Sequence, residues 1–154
     1  HMIEKGIPGA GSVIVFDNGA SPYKDLAHAG CSFILEIDPV TQREVWVYDD
    51  REFFHSNFTS AVQRLRNGNT LITEAWHGRI FEVTPDKEVV WDFWSPFVAQ
   101  GPHHLGKRIH RATRYSPEAV EPLLQSRKDA IVAEVDRDGR RITSYTDLIR
   151  LYQS

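Results

Sequence analysis

The chain has 154 residues, about the length of one domain, and its 41% hydrophobic and 25% charged residues are ordinary for a globular protein. A formal net charge of -3 excludes the basic field with which proteins usually bind nucleic acid or anionic membranes. No apolar run approaches the roughly 20 residues that span a bilayer. The one cysteine, Cys31, excludes an internal disulfide and a cysteine-based zinc cluster.

The first predicted elements are three strands at residues 12–16, 33–38 and 44–48. His1 and Met2 are interpreted as the remnant of an expression tag, so a single unit is expected to span residues 3–154. The second and third strands contain Leu-Glu-Ile-Asp-Pro at 35–39 and Val-Trp-Val-Tyr at 45–48. No strand is found before Gly11 that would complete a set of four.

The same pattern recurs after about 45 residues, a spacing typical of β-propeller blades. Residues 81–85 are Phe-Glu-Val-Thr-Pro, and residues 90–93 are Val-Trp-Asp-Phe. Upstream of them, alternating strands at 61–65 and 70–73 flank Asn67-Gly68, which predicts a tight two-residue hairpin turn with positive φ at Gly68. Residues 60–95 therefore predict four successive antiparallel strands, which is one complete blade.

A weaker third copy is predicted at the C-terminal end. A strand at 109–115 precedes a helix at 117–127, and further strands begin at Ala133. Residues 148–152 fit a short helix or a spare inner strand equally. The fold class is then all-β, with about three four-stranded antiparallel blades and a helical insertion. Their expected limits are 11–50 for a blade lacking its inner strand, 55–96, and 108–146.

The repeat residues resemble the bacterial arylsulfotransferase-like family. The resemblance lies in Gln-Arg-Leu-Arg-Asn-Gly-Asn-Thr-Leu-Ile at 63–72 and Gly-Arg-Ile-Phe-Glu-Val-Thr-Pro at 78–85. Residues 12–19 and 110–115 are similar to parts of the flanking blades. The resemblance implies a six-bladed propeller, of which this chain would be the C-terminal blades. It also implies sulfuryl transfer between phenols through a histidine, without a nucleotide donor or other cofactor, in a periplasmic or secreted protein.

Six histidines fall in or beside the long connections that antiparallel blades place on one face. They are His28, His55, His77, His103, His104 and His110. Since inner strands line the channel of a propeller, His55 and His110 are the candidate catalytic residues. Arg111 and Arg114 flank the same strand as His110, and guanidinium groups match the oxygens of a sulfate.

The candidate substrate-binding residues are Trp76, His77 and His104. An aromatic acceptor would stack on Trp76, and we expect a small aromatic or sulfated ligand. No metal site is expected, because no histidine or cysteine pattern has ligand spacing. A non-catalytic module for binding or oligomerisation is the alternative function.

Trp46 and Trp91 occupy equivalent places in the repeat, which predicts that both pack between neighbouring blades. A run of about three blades leaves an apolar face uncovered at each end. We therefore expect a homo-oligomer in which two chains complete a six-bladed ring. The alternative is that the C-terminal helix and tail cap one open face.

Overall fold

The computed structural model of the chain describes residues 1–19, 31–50, 53–97 and 106–133. Within them the chain is mostly β-structure, as predicted, and no described helix is long and apolar enough to cross a membrane. The strands are β1 (Val13–Asp17), β2 (Phe33–Asp38), β3 (Arg43–Tyr48), β4 (Ala61–Arg64), β5 (Thr70–Glu74), β6 (Arg79–Val83) and β7 (Val89–Trp94). The helix is α1 (Pro117–Ala133).

Two antiparallel sheets form, each with its strands in sequence order. The first has three strands, β1-β2-β3, and the second has four, β4-β5-β6-β7. Alternation of apolar and polar residues predicted these strands to within about two residues, the usual uncertainty of strand boundaries. The predicted set of four antiparallel strands between residues 60 and 95 is confirmed.

The edge of the first sheet carries a short pairing that the sequence did not predict. Met2 bridges Val13 in antiparallel fashion, and the backbone N–H of Ile14 donates to the carbonyl of His1 at 2.8 Å. Ile3 follows them and is buried in the core. Among the described residues no strand precedes β1, as predicted, but Ile3 brings an apolar side chain that anchors the first residues beside it.

The predicted third set of strands is also corrected. Residues 109–114 run along the second sheet without joining a ladder, since the N–H of Ala112 donates to the Thr73 hydroxyl at 3.0 Å. The helix begins at Pro117 as predicted but continues past residue 127, so Ala133, expected to open a strand, is helical. Residues 134–154, where the other predicted strands fall, lie outside the described residues. The chain divides into two compact units, His1–Arg114 and Tyr115–Ser154, and α1 belongs to the second.

The hairpin between β4 and β5 has the predicted glycine conformation but a longer loop. Gly68 has φ of +90°. Its N–H donates to Leu65 at 3.0 Å, and the N–H of Leu65 donates to Asn69 at 2.8 Å. These bonds leave residues 66–68 in the loop, one more than predicted. A type I turn followed by a left-handed glycine takes the place of the two-residue turn.

An aromatic and aliphatic core joins the two sheets. Alternation places Ile14, Ile34 and Tyr48 on one face of the first sheet, where they meet Phe81 of the second. The rings of Tyr48 and Phe81 are 5.9 Å apart, and Phe54, from the connection between the sheets, packs edge-on against both. The connection after β3 is thereby fixed by the same core that holds the sheets together.

Beside this core, a buried ion pair links the sheets. Arg64 of β4 donates from Nη2 to Oε2 of Glu36 on β2 at 2.5 Å, and both side chains are less than a tenth exposed. The Arg64 guanidinium lies 5.0 Å from the ring centre of Trp46, which is directly opposite Glu36 on β3. Trp46 in turn donates to the carbonyl of Pro85, in the turn between β6 and β7, at 2.8 Å.

The same arrangement of three side chains occurs again on the second sheet. Trp91 lies opposite Glu82, Arg114 forms an ion pair with Glu82, and its guanidinium lies 5.4 Å from the Trp91 ring. Each glutamate immediately precedes a register shift in its sheet. We call each set a Glu–Arg–Trp unit. Trp46 and Trp91 thus hold matching positions in the two sheets, but Trp91 is 43% exposed, so the predicted packing of both tryptophans between neighbouring blades is not seen in the single chain.

Hydrogen bonds from the β4–β5 hairpin also reach the second unit. Burial raises the pKa of Glu82, but hydrogen bonds from Asn69, Asn67 and Arg114 outweigh it and hold the pKa below its ordinary value. The bond from Asn69 is 2.7 Å long. The Glu82 carboxylate is therefore kept ionised beside its arginine.

Removing one member of the first Glu–Arg–Trp unit should be costly. Arg64→Ala leaves the Glu36 carboxylate buried without its counter-ion, and we expect the free energy of unfolding to fall by about 3–5 kcal/mol. Urea unfolding measures this loss. Arg66→Ala, at an exposed neighbouring position, is the matched control and should change stability by less than about 0.5 kcal/mol. A loss below about 1 kcal/mol for Arg64→Ala would contradict the role assigned to the pair.

Burial of Tyr48 should make the fold sensitive to alkali. Burial, with the Asp50 carboxylate adding to it, raises the pKa of the phenol from 10.0 to about 12. Because the pKa is higher in the folded protein than in the unfolded chain, the neutral phenol of Tyr48 stabilises the fold fully below about pH 10. This stabilisation is lost as the pH rises through about 12. Urea unfolding at a series of pH values measures this loss, and Tyr48→Phe should remove the fall in the free energy of unfolding between about pH 10 and 12. Tyr115→Phe, at an exposed tyrosine, should leave the profile as it is in the wild type.

Candidate functional site

Three connections meet at the end of β5. The N–H of His55, in the connection after β3, donates to Oε1 of Glu74 at 3.2 Å. The N–H of Trp76 donates to the Ser56 hydroxyl at 3.1 Å, and that of Ile109 donates to the carbonyl of Ala75 at 3.3 Å. Loops held on a sheet in this way are where binding and catalytic residues usually lie.

Glu74, the last residue of β5, is the fully buried centre of the site. Its Oε1 accepts from the backbone of His55 and lies 2.6 Å from Nδ1 of His77. Its Oε2 has no hydrogen-bond partner among the described residues but lies 3.8 Å from Nη1 of Arg79. A buried carboxylate is costly unless it is paired, so His77 and Arg79 are its two compensating partners.

Arg79 is a fixed cation behind Glu74. It binds Asp92 through two parallel hydrogen bonds of 3.0 and 2.8 Å and lies 4.2 Å from the ring centre of Phe81. Burial lowers the pKa of Arg79, but the hydrogen bond and charge of Asp92 and the charge of Glu74 together raise it. An array of alternating charge therefore runs from Asp92 through Arg79 to Glu74, and the Glu74 carboxylate is hydrogen-bonded to the ring of His77.

His77 lies at the exposed end of this array, with its side chain 44% exposed. A carboxylate that accepts at Nδ1 fixes the neutral ring with its proton on Nδ1, so Nε2 carries the free lone pair. The Nε2 atom is thus suited to act as a nucleophile or a general base.

An aromatic pair with a cation includes Trp76, the residue that precedes His77. The rings of Phe58 and Trp76 meet edge-to-face at 5.0 Å. The guanidinium of Arg108 lies 4.0 Å from the ring centre of Trp76 and 4.9 Å from that of Phe58. We call these three side chains the aromatic shelf. It offers apolar rings and a positive charge on the same small surface.

A glycine makes the close approach of these loops possible. Gly78 has φ of +70°, and a Cβ atom there would lie only 1.9 Å from the carbonyl oxygen of Lys107. Its N–H donates to Ala75, closing the tight turn between β5 and β6 that carries Trp76 and His77. A side chain at position 78 would push residues 106–108 outward, and Arg108 would then lose its contact with the rings of Trp76 and Phe58.

Some of the predicted site residues come together and others do not. The structure groups His55, Trp76 and His77 around Glu74, but the buried Nδ1 of His55 has no hydrogen-bond partner among the described residues. His110 and Arg111 are exposed. Arg114 belongs to the second Glu–Arg–Trp unit, where its guanidinium is bound to Glu82. His104 lies outside the described residues.

Sequence reasoning missed Glu74, Arg79 and Arg108. A glutamate at the end of a strand usually faces solvent, and only the spacing Glu74-x-x-His77 could have connected it with a histidine. Among the described residues, no group of histidine, cysteine, aspartate and glutamate is arranged to hold a metal ion.

Comparison with protein-family models, with curated proteins and with solved structures finds no match to this chain.

The tautomer of His77 tests this geometry without any assay of activity. We expect long-range ¹H–¹⁵N correlation spectra of the neutral ring to show a protonated Nδ1 and an unprotonated Nε2. Glu74→Ala should abolish that preference, while Asp50→Ala, outside the hydrogen-bonded array, should preserve it. A wild-type His77 protonated at Nε2 would contradict the assigned hydrogen bond.

Proposed function

We propose that this chain carries the histidine of a sulfuryl-transfer site, with His77 as the nucleophile. The observation that supports the proposal best is the 2.6 Å contact between Nδ1 of His77 and the buried carboxylate of Glu74. It leaves Nε2 free on a residue that directly follows Trp76, whose ring packs with Phe58 and the guanidinium of Arg108. This assignment replaces His55 and His110, which the sequence favoured as catalytic residues.

The proposed reaction has two displacements at sulfur. Nε2 of His77 attacks the sulfur of an aryl sulfate, the bond from sulfur to the aryl oxygen breaks, and the phenolate leaves and takes a proton from water. The oxygen of a second phenol then attacks the sulfur, the bond from sulfur to Nε2 breaks, and the phenol proton passes to water. Glu74 holds the proton on Nδ1 throughout, which stabilises the positive charge that develops on the ring.

The aromatic shelf is the proposed binding surface for the aryl sulfate. An aryl ring stacks well on Trp76 and Phe58, and a guanidinium binds sulfate oxygens through paired hydrogen bonds. Arg108 has this position, whereas Arg114 is held by Glu82. In this proposal Arg108 therefore takes the oxyanion role that the sequence suggested for Arg111 or Arg114.

We also propose that the two sheets are consecutive blades of a propeller. Three observations support this: each sheet is an antiparallel meander, the two lie in direct contact, and the Glu–Arg–Trp unit recurs at the same place in both. The resemblance of the repeat residues to arylsulfotransferase-like proteins points the same way. A site at the end of β5 then lies on the face opposite the β4–β5 hairpin.

A non-catalytic binding module is the second candidate function. The open position of His77, whose side chain is 44% exposed, favours it, because closed sites exclude water during group transfer. The same shelf would then bind an aryl sulfate without reaction.

An assay with 4-nitrophenyl sulfate as donor and phenol as acceptor separates the two functions. We expect His77→Ala to lower turnover by about 10²–10⁴-fold, and Glu74→Gln to lower it by a smaller factor. Arg66→Ala, far from the site, is the control for turnover. Full turnover in His77→Ala with loss in His55→Ala or His110→Ala would overturn the assignment of the nucleophile. Absence of turnover in the assembled wild type, with calorimetric binding that Trp76→Ala abolishes, would support the binding module.

A further inference from the structure

The charges of the chain are unevenly distributed along its sequence. Residues 93–117 contain four of the 18 lysine and arginine residues and none of the 21 acidic residues. The rest of the chain therefore has seven more acidic than basic residues, although the formal net charge of the whole is only -3. The four cations lie within eight residues of one another, and they are Lys107, Arg108, Arg111 and Arg114.

The segment that carries these cations lies along the loops of the candidate site. The N–H of Ile109 donates to the carbonyl of Ala75 at 3.3 Å, and that of Ala112 donates to the Thr73 hydroxyl at 3.0 Å. Residues 109–112 therefore run beside the end of β5, where the turn of the site begins. Since the backbone of the segment is fixed at these two points, its positive charge is held next to the site.

Two of the four cations already have partners in the fold. Arg114 is bound to Glu82, and Arg108 is the cation of the aromatic shelf. Lys107 and Arg111 are exposed, and neither forms an ion pair with a described residue. Exposed cations without a counter-ion next to a binding surface attract anions to that surface. The charge of these two side chains is therefore available to a ligand.

Lys107 lies against the turn that carries His77. A Cβ atom on Gly78, the residue after His77, would lie 3.0 Å from Cβ of Lys107. The side chain of Lys107 therefore starts in contact with this turn, and its flexible four-carbon stem lets the ammonium group reach the surrounding surface. Because Arg108 follows Lys107 directly, consecutive residues supply one cation that is fixed on the aromatic rings and one that is free.

We propose that the site takes an aryl sulfate that carries a second anionic group, and that Lys107 binds this second group. The inference rests on the proposed function, in which the aromatic shelf holds the aryl ring and Arg108 holds the sulfate. A carboxylate or second sulfate on the same ring supplies the counter-ion that Lys107 lacks among the described residues. An aryl sulfate with one charge leaves that cation unpaired, so the site distinguishes the two ligands by charge.

The aromatic rings favour a small ligand of this kind over an anionic polymer. A sulfated polysaccharide would pair with the cations of the segment but would leave the rings of Trp76 and Phe58 without an aromatic partner. An aryl dianion uses both features of the surface, because its ring packs on the shelf and its charges meet two different cations.

Calorimetric binding of matched, unreactive ligands tests this assignment without any turnover. The probes are phenylmethanesulfonate, which has one negative charge, and its 3-carboxy and 4-carboxy derivatives, which have two at neutral pH. In all three a CH₂ group replaces the bridging oxygen of an aryl sulfate, so no sulfuryl transfer occurs. We expect at least one dianion to bind the wild type about 3–10-fold more tightly than the monoanion at low salt. This advantage should shrink when the salt is raised to about 0.5 M.

A substitution at Lys107 identifies the cation responsible. Lys107→Gln should remove the advantage of the dianion and change the affinity for the monoanion by less than about twofold. Arg66→Gln, at an exposed arginine outside the segment, is the matched control and should keep the advantage. Equal binding of monoanion and dianions by the wild type would overturn the proposal, and so would an advantage that survives in Lys107→Gln.

Two further outcomes separate this inference from the proposals on which it depends. Heparin binding that Lys107→Gln weakens, without any preference among the three aryl ligands, would overturn the small dianion in favour of a polymer. Failure of all three aryl ligands to bind would contradict the aromatic shelf itself, and with it the proposed function. Binding without a preference for charge, in contrast, would leave the shelf in place and reject only the role of Lys107.

Discussion

The buried ion pair between Arg64 and Glu36 is the constraint on which the rest of the structure depends. Both groups are almost fully removed from water, so each is tolerable only while the other is in place. Burial lowers the pKa of Arg64, and the charge of Glu36 opposes that shift. The pair can form only when the second sheet lies on the first with Trp46 above the guanidinium. An apolar core alone would tolerate several relative positions of two sheets, whereas this contact favours one.

The candidate site depends on that docked arrangement. Phe54 enters the core between the sheets, which fixes the next residue, His55, against Glu74. Glu74 is buried because it ends β5 underneath the connections. Its carboxylate lies near the Arg79 guanidinium on one side and is hydrogen-bonded to His77 on the other. The packing that stabilises the fold therefore also positions the carboxylate that orients His77, and a change in how the sheets dock would alter the site.

The sequence predicted the strands well because alternation and the repeat are local signals. Phe81-Glu82-Val83 reads as a half-buried strand without any knowledge of its partner. The pairing of Met2 with Val13 and the continuation of α1 to Ala133 were missed, since both depend on competition between local pattern and tertiary context. Glu74 was missed for the same reason: its burial comes from three connections that are distant in sequence. Arg114 was given a catalytic role because its partner Glu82 could be recognised only once the registers were known.

The central claim is that the two sheets are copies that use the same Glu–Arg–Trp unit to bind the next element. Double-mutant cycles measured by urea unfolding, one on Arg64 and Glu36 and one on Arg114 and Glu82, test it most directly. We expect a coupling of about 2–3 kcal/mol in the buried unit, and about 0.5–1 kcal/mol in the second, where Arg114 is partly exposed. Independent, additive effects in both cycles would contradict the claim, because neither arginine would then hold its sheet through the glutamate.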